Sequence, residues 1–349
     1  MNSHGPSTLS VAILTLASVS ALSQAQEPRY LTKGIYTADP SAHVFGGRLY
    51  FYPSHDIESG VEQNDNGDHF DMRDYHVFSM DSVDGPVTDH GVALDVKDVP
   101  WAERQMWAPD CAEKDGRYYL YFPAKDPEGV FRIGVAVGDR PEGPFKANPK
   151  PIEGSYSIDP AVFNDGGEYY LYFGGIWGGQ LQQYRDNQRI VSDRAPVPSE
   201  PTPGTPALCA KVAKLAPSMT EFAEPPRDVV IVDSQGKPLD AGDHDRRFFE
   251  AAWVHKHDGR YYFSYSTGDT HRICYATGDS PYGPFTYQGV VLTPVLGWTT
   301  HHSIVQHEGK WHLFHHDSVP SGGQTHLRSV KVSPLRHGPD GKIQTIKGG

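Results

Sequence analysis

Five side chains able to transfer protons or hold a ligand stand at nearly one distance from a repeated turn glycine. Asp39 lies 8 residues before Gly47, Trp107 lies 9 before Gly116, Asp159 lies 8 before Gly167, Glu250 lies 9 before Gly259, and His301 lies 8 before Gly309. Three of the five are acids. Carboxylates gathered in one narrow space repel, so at least one is pushed to a raised pKa. One acid can then stay ionised as a base while another stays protonated as a proton donor at neutral pH. Hydrolysis of a glycosidic bond uses such a pair, and a gap of about 6.5–9.5 Å between the two leaves room for a water and predicts inversion.

Each residue also has a plainer reading. Asp39-Pro40 and Asp159-Pro160 are ordinary turn dipeptides when taken alone. Glu250, set in FFEAAWV, must be paired or protonated if it is buried, and Arg246 or Arg247 could pair with it. Trp107 taken alone reads as core, its register making it an aromatic wall for a sugar ring, and His301 reads as a core histidine or a ligand-facing one. The shared register is what argues for a site.

That register belongs to a repeated element. DGRYYLYF (115–122), GGEYYLYF (166–173) and DGRYYFSY (258–265) are copies of a glycine turn followed by an aromatic-rich strand, and GGRLYFY (46–52) and EGKWHLFHH (308–316) are weaker copies. β-formers precede each turn, which makes the unit a hairpin. VAVGDRPEGPF (135–145) and YATGDSPYGPF (275–285) repeat a second hairpin, with HVFSMDSVDGPV (76–87) a looser third. Two hairpins per unit, five times, predict an all-β chain folded as a five-bladed β-propeller over residues 30–346. The first strand of each blade runs along the axis, so the five registered side chains converge at one mouth. RAPVPSEPTPGTPAL (194–208) is not strand-like, and residues 181–242 are expected to form a long insertion between blades three and four.

Composition narrows the partners. With 31 Lys and Arg against 43 Asp and Glu, a formal net charge of −12 and no basic run, nucleic acid and anionic membrane are excluded as partners. Cys111, Cys209 and Cys274 have no metal-ligand spacing and allow at most one bridge. LSVAILTLASVSAL followed by Ser23-Gln24-Ala25 reads as a signal peptide over 1–25, which places the protein in a secreted or periplasmic setting; the competing reading is a disordered tail.

Taken together, TADPSAHVF, MWAPDCAEKDGRYYLYFPAKD, YSIDPAVF, RRFFEAAW, GDTHRICYATGDSPYGPF and WTTHHSIVQHEGKWHLFHHDS resemble glycoside hydrolase family 43 from about Tyr30 to Ile346. The resemblance implies a five-bladed propeller and an inverting hydrolase. In it Asp39 is the general base, Glu250 the general acid, and Asp159 the residue that orients Glu250 and raises its pKa. The residues alone leave acid and base unassigned. His301 matches a histidine that in some relatives binds a hydrated Ca²⁺, although one neutral imidazole is a poor calcium ligand set. Arg328, in THLRSVKV, matches an arginine that reaches sugar hydroxyls. Thr300 departs from the glycine many relatives have before that histidine.

GGIWGGQ, EPPRDVVI, AGDHDRRFFEA and WTTHHSIV resemble a branch of β-xylosidases and α-L-arabinofuranosidases. The expectation is therefore an exo-acting enzyme that removes terminal β-D-xylose or α-L-arabinofuranose from xylan-derived oligosaccharides. It would need no cofactor, with a structural Ca²⁺ the one metal the resemblance allows. The alternatives are an endo-arabinanase and a non-catalytic carbohydrate-binding propeller. Retaining fructan-processing propellers show Asn-Asp-Pro and Glu-Cys where this chain reads Ala38-Asp39-Pro40 and Glu250-Ala251.

Overall fold

Aromatic and β-branched residues dominate the strand segments, and in a computed structural model, which describes residues 1, 29–191 and 200–349, they form five sheets around one axis. Blade one comprises Tyr36–Phe45, Arg48–Asp56, Asp74–Met80 and Thr88–Asp95. Blade two comprises Asp110–Lys114, Arg117–Lys125, Phe131–Gly138 and Lys146–Ala147. Blade three comprises Ala161–Asp165, Glu168–Phe173, Lys211–Lys214 and Arg227–Asp228. Blade four comprises Glu250–His257, Arg260–Ser266, Ile273–Gly278 and Phe285–Leu292, with Ile231–Val232 added parallel to its last strand. Blade five comprises His302–His307, Lys310–Asp317 and Ser329–Leu335, and its outer strand is Arg29–Tyr30 from the other end of the chain. First strands touch in a closed ring, one to two, two to three, and so on back from five to one.

The turn glycines do the same work in all five blades. Gly46-Gly47, Asp115-Gly116, Gly166-Gly167, Asp258-Gly259 and Glu308-Gly309 each form a two-residue loop with positive φ at both positions. That is the type I′ geometry, whose twist matches the strands it joins and whose second position favours glycine. A fixed loop fixes the register, and hence which side chains reach the axis.

The blades bury both faces against their neighbours, which explains strands rich in aromatics on both faces. Tyr52 and Tyr75 of blade one share a core with Leu120 and Phe122 of blade two. Phe51 and Phe78 stack at 5.0 Å and meet Phe314 of blade five.

The insertion lies elsewhere than its composition suggested. Residues 211–228 supply the outer two strands of blade three, and 231–232 joins blade four, so the described part of the excess chain, 174–191 and 200–210, lies between the second and third strands of blade three. KVAK and RD are short and lack the aromatic alternation of the other strands, which hid them. The proposed signal segment 1–25 falls almost wholly outside the described residues. All three cysteines are free. Among the described residues no helix is long and apolar enough to cross a membrane.

Candidate active site

At one mouth of the axis the inner strands leave regular geometry. Asp39, Asp159 and Ala251 have φ of 50, 57 and 59°, and each stands 8 residues before its turn glycine. The ladder slips at Ala38/Ser41 in blade one and at Glu250/Trp253 in blade four, the signature of β-bulges that re-aim side chains. The backbone equivalent of the two aspartates in blade four is thus Ala251. Glu250 reaches the same space from one position earlier.

Asp39 is buried and held from several sides. Its Oδ1 accepts from Arg328 Nη1 at 2.9 Å, its Oδ2 accepts from the Ser54 hydroxyl at 2.7 Å, and its backbone N–H donates to His316 Nδ1 at 3.0 Å. Burial alone would raise this carboxyl. The Arg328 charge first, with the Ser54 hydroxyl bond beside it, outweighs burial and holds it down to about 2. Because His316 Nδ1 accepts an N–H, its Nε2 carries the proton and donates to the Thr299 carbonyl at 3.1 Å, so the ring is neutral.

Arg328 does not float toward Asp39. Its Nε and Nη2 donate to Asp56 Oδ2 and Oδ1 at 2.8 and 2.7 Å, and its guanidinium lies 4.8 Å from the Phe70 ring. The bidentate pair fixes the plane of the guanidinium and leaves Nη1 for Asp39. Sequence reading named Arg328 but missed Asp56 and His316. Their local signal is the polar run that ends each second strand, Ser54-His55-Asp56 in blade one and His315-His316-Asp317 in blade five.

Asp159, also buried, accepts the Ala251 N–H at 2.9 Å. Burial first, then Glu250 and Asp39, push its carboxyl well above the ordinary range. Glu250 lines the pocket, and no described side chain hydrogen-bonds its carboxyl. Burial, then the Asp39 charge, raise it to about 8 against the pull of Arg328. Gly175 makes room for it: a Cβ there would stand 2.5 Å from Ile158 and 3.2 Å from the Glu250 Cβ.

His301 places Nδ1 3.7 Å from Asp39 and 3.8 Å from Asp159, and burial lowers it to about 4, so it is neutral. Trp107 presents its ring to the pocket, with Nε1 donating to the Phe70 carbonyl at 2.8 Å and Phe131 packed at 4.6 Å. Gly67 and Gly178 sit so close to this ring that a Cβ on either would crowd it. All six side chains singled out from sequence line one pocket with about 750 Å³ of empty volume, mouth included. That is ample for a sugar. Its rim holds three aromatics that sequence reading did not assign: Trp177, Phe249 and Trp298, with ring centroids 5.3 to 5.7 Å apart. GGIWGGQ and GWTT carried that signal. Glu200 ties the rim down, accepting from Trp177 Nε1 and, at 2.9 Å, from Arg247.

An ionised and a protonated carboxyl facing one pocket can activate a water and protonate a leaving oxygen. A match to Glycosyl hydrolases family 43 spans residues 37–343. A xylosidase/arabinosidase of Bacteroides ovatus is 62% identical over 324 residues, covering 92% of this chain and 98% of the relative. One of Humicola insolens is 63% identical, covering 91 and 98%. A solved β-xylosidase/α-arabinofuranosidase from a compost microbial metagenome, in complex with xylotriose and calcium-free, is 62% identical with a TM-score of 0.90, covering 93% of this chain and 98% of that one.

Proposed function

This chain belongs to glycosyl hydrolases family 43 and is a glycoside hydrolase, and on that footing we propose that it is an inverting exo-enzyme releasing terminal β-D-xylose and α-L-arabinofuranose from xylan-derived oligosaccharides. The observation that carries the proposal is the opposite protonation of Asp39, held down to about 2, and Glu250, raised to about 8, in one pocket. Asp39 takes a proton from a water whose oxygen forms the new bond to the anomeric carbon. Glu250 gives its proton to the glycosidic oxygen as the old bond breaks. Asp159 positions the acid by accepting the Ala251 N–H; the charge that raises Glu250 comes from Asp39 and not from Asp159, which is itself held protonated. Arg328 keeps Asp39 ionised and turned to the water. The reaction so written uses no redox or group-carrying cofactor.

His301, neutral between the Asp39 carboxylate and the Asp159 carboxyl, fits a hydrated cation held by one imidazole nitrogen and otherwise through water. It does not fit a calcium cage, which takes six to eight oxygens. Such an ion would supply positive charge and ordered water at the axis.

Exo action is supported by the walls around the axis, formed by the 57–73 connection, the Trp177 loop and the Trp298 segment. Secretion through residues 1–25 is part of the same reading, and an exported product beginning at Gln26 would support it. Nitrophenyl xyloside and arabinofuranoside assays with NMR of the first-formed anomer test the activity. Inverted xylose or arabinose is expected; a retained anomer, or rapid viscosity loss on linear arabinan, overturns the reading.

A further inference from the structure

Ser54, His55 and Asp56 are consecutive in the second strand of blade one. Strand alternation sends Ser54 and Asp56 toward the axis, where they hold Asp39 and Arg328, and His55 to the opposite face. There it meets Asp74 and His76, two apart on the third strand and so on one side of the sheet. His55, Asp74 and His76 each offer one donor atom, and the three atoms lie within 4.8 Å of one another, the one such cluster among the described residues. His55 Nδ1 is 2.7 Å from Asp74 Oδ1, and His76 Nε2 is 3.9 Å from the same oxygen.

The fourth strand completes the arrangement. His76 Nδ1 stands 3.0 Å from Asp89 Oδ1, which also accepts the Gly91 N–H at 2.8 Å. With its Nδ1 proton donated to Asp89, His76 turns the lone pair of Nε2 toward Asp74. A carboxylate behind a histidine is how proteins orient metal-ligating imidazoles. The three side chains are 21, 20 and 16% exposed, enough for an ion to enter and keep water in a remaining position.

We propose that His55, Asp74 and His76 form a binding site for a divalent transition-metal ion of the zinc class, with Asp89 orienting His76. Two imidazoles and one carboxylate suit zinc and disfavour calcium or magnesium, which take oxygen. On binding, the ion takes the place of the Nδ1 proton in the His55–Asp74 hydrogen bond, and the neutral ring carries its one proton on Nε2 instead. It joins the second and third strands of blade one directly behind the pair that holds the axial arginine. The site is separate from His301.

The test uses tag-free chain, stripped with chelator and dialysed, with calorimetric zinc titration and metal analysis after gel filtration. One zinc per chain with micromolar or tighter affinity is expected in the wild type and in His301→Ala. Stoichiometric binding is lost in His55→Ala and His76→Ala, and affinity falls about 10–100-fold in Asp89→Asn. Thermal melts of the stripped variants show that each is folded. No zinc retained by the wild type, or equal retention by His55→Ala and His76→Ala, overturns the proposal.

Discussion

At the scale of single residues, the pocket depends on which carboxyl keeps its proton. Glu250 at about 8 sits above the free value of about 4.3, so the folded chain holds this proton more tightly than the unfolded one. The stability it contributes is full below about pH 4.3 and is lost as pH rises through about 8. Glu250→Gln is therefore expected to melt level with the wild type near pH 4 and above it near pH 9, read by thermal melts across pH. In the same variant kcat falls by about 10²–10⁴-fold. In the wild type kcat/KM declines above about pH 8, and a flat alkaline limb to pH 10 would remove Glu250 from the acid role. Asp56 is the second test. Asp56→Ala frees the Arg328 guanidinium, so Asp39 loses its oriented partner, the acid limb of kcat/KM moves to higher pH, and the rate drops by about 10²-fold. It also leaves a buried charge poorly paired, costing roughly 3–5 kcal/mol in urea denaturation. A purely structural aspartate would lower stability without moving the acid limb.

At the scale of elements, the bulge in blade four separates Glu250 from the register of the other two acids. Ala251 is fully buried with φ of 59°, a conformation costing about 1–3 kcal/mol for a residue with a Cβ. The hydrogen bond its N–H donates to Asp159 maintains that conformation, so strain, acid placement and proton affinity are linked through one peptide. Ala251→Gly is expected to stay within about 1 kcal/mol of the wild type in urea denaturation, because relieved strain offsets added chain entropy. Ala251→Val adds bulk to a closed core and β-branching to a left-handed residue, and should cost over ~2 kcal/mol with most of the activity. Equal behaviour of the two variants would show that the bulge does not position Glu250.

At the scale of the molecule, the ring is closed by its two ends. Tyr30 pairs with Lys331 across the outer edge of blade five, and its hydroxyl donates at 2.8 Å to Asp317, which also holds the Lys331 ammonium at 2.7 Å. Leu31 donates its N–H to the Val330 carbonyl and enters the core between blades five and one. A chain beginning at Lys33 loses these contacts and leaves blade five with an open edge. Its melting temperature should fall by roughly 5 °C or more, read by calorimetry. An unchanged melt would show that closure rests on the inner strands alone.

Hairpins, turns and the placing of five side chains at one mouth are legible in the sequence because they are local. A type I′ turn needs glycine at a set position, alternation sets the facing, and repetition of both counts the blades. The outer strands of blade three were not legible, because short edge strands pair through backbone hydrogen bonds and carry little side-chain pattern. Nor was the protonation of the acids. Asp39 meets Arg328 across 289 residues and Arg328 meets Asp56 across 272, contacts that exist only once the ring has closed. The sequence thus determined which carboxyls would crowd the axis, through local periodicity. Only the tertiary structure decided which of them stays charged, because that depends on the cation and burial that distant strands bring to each.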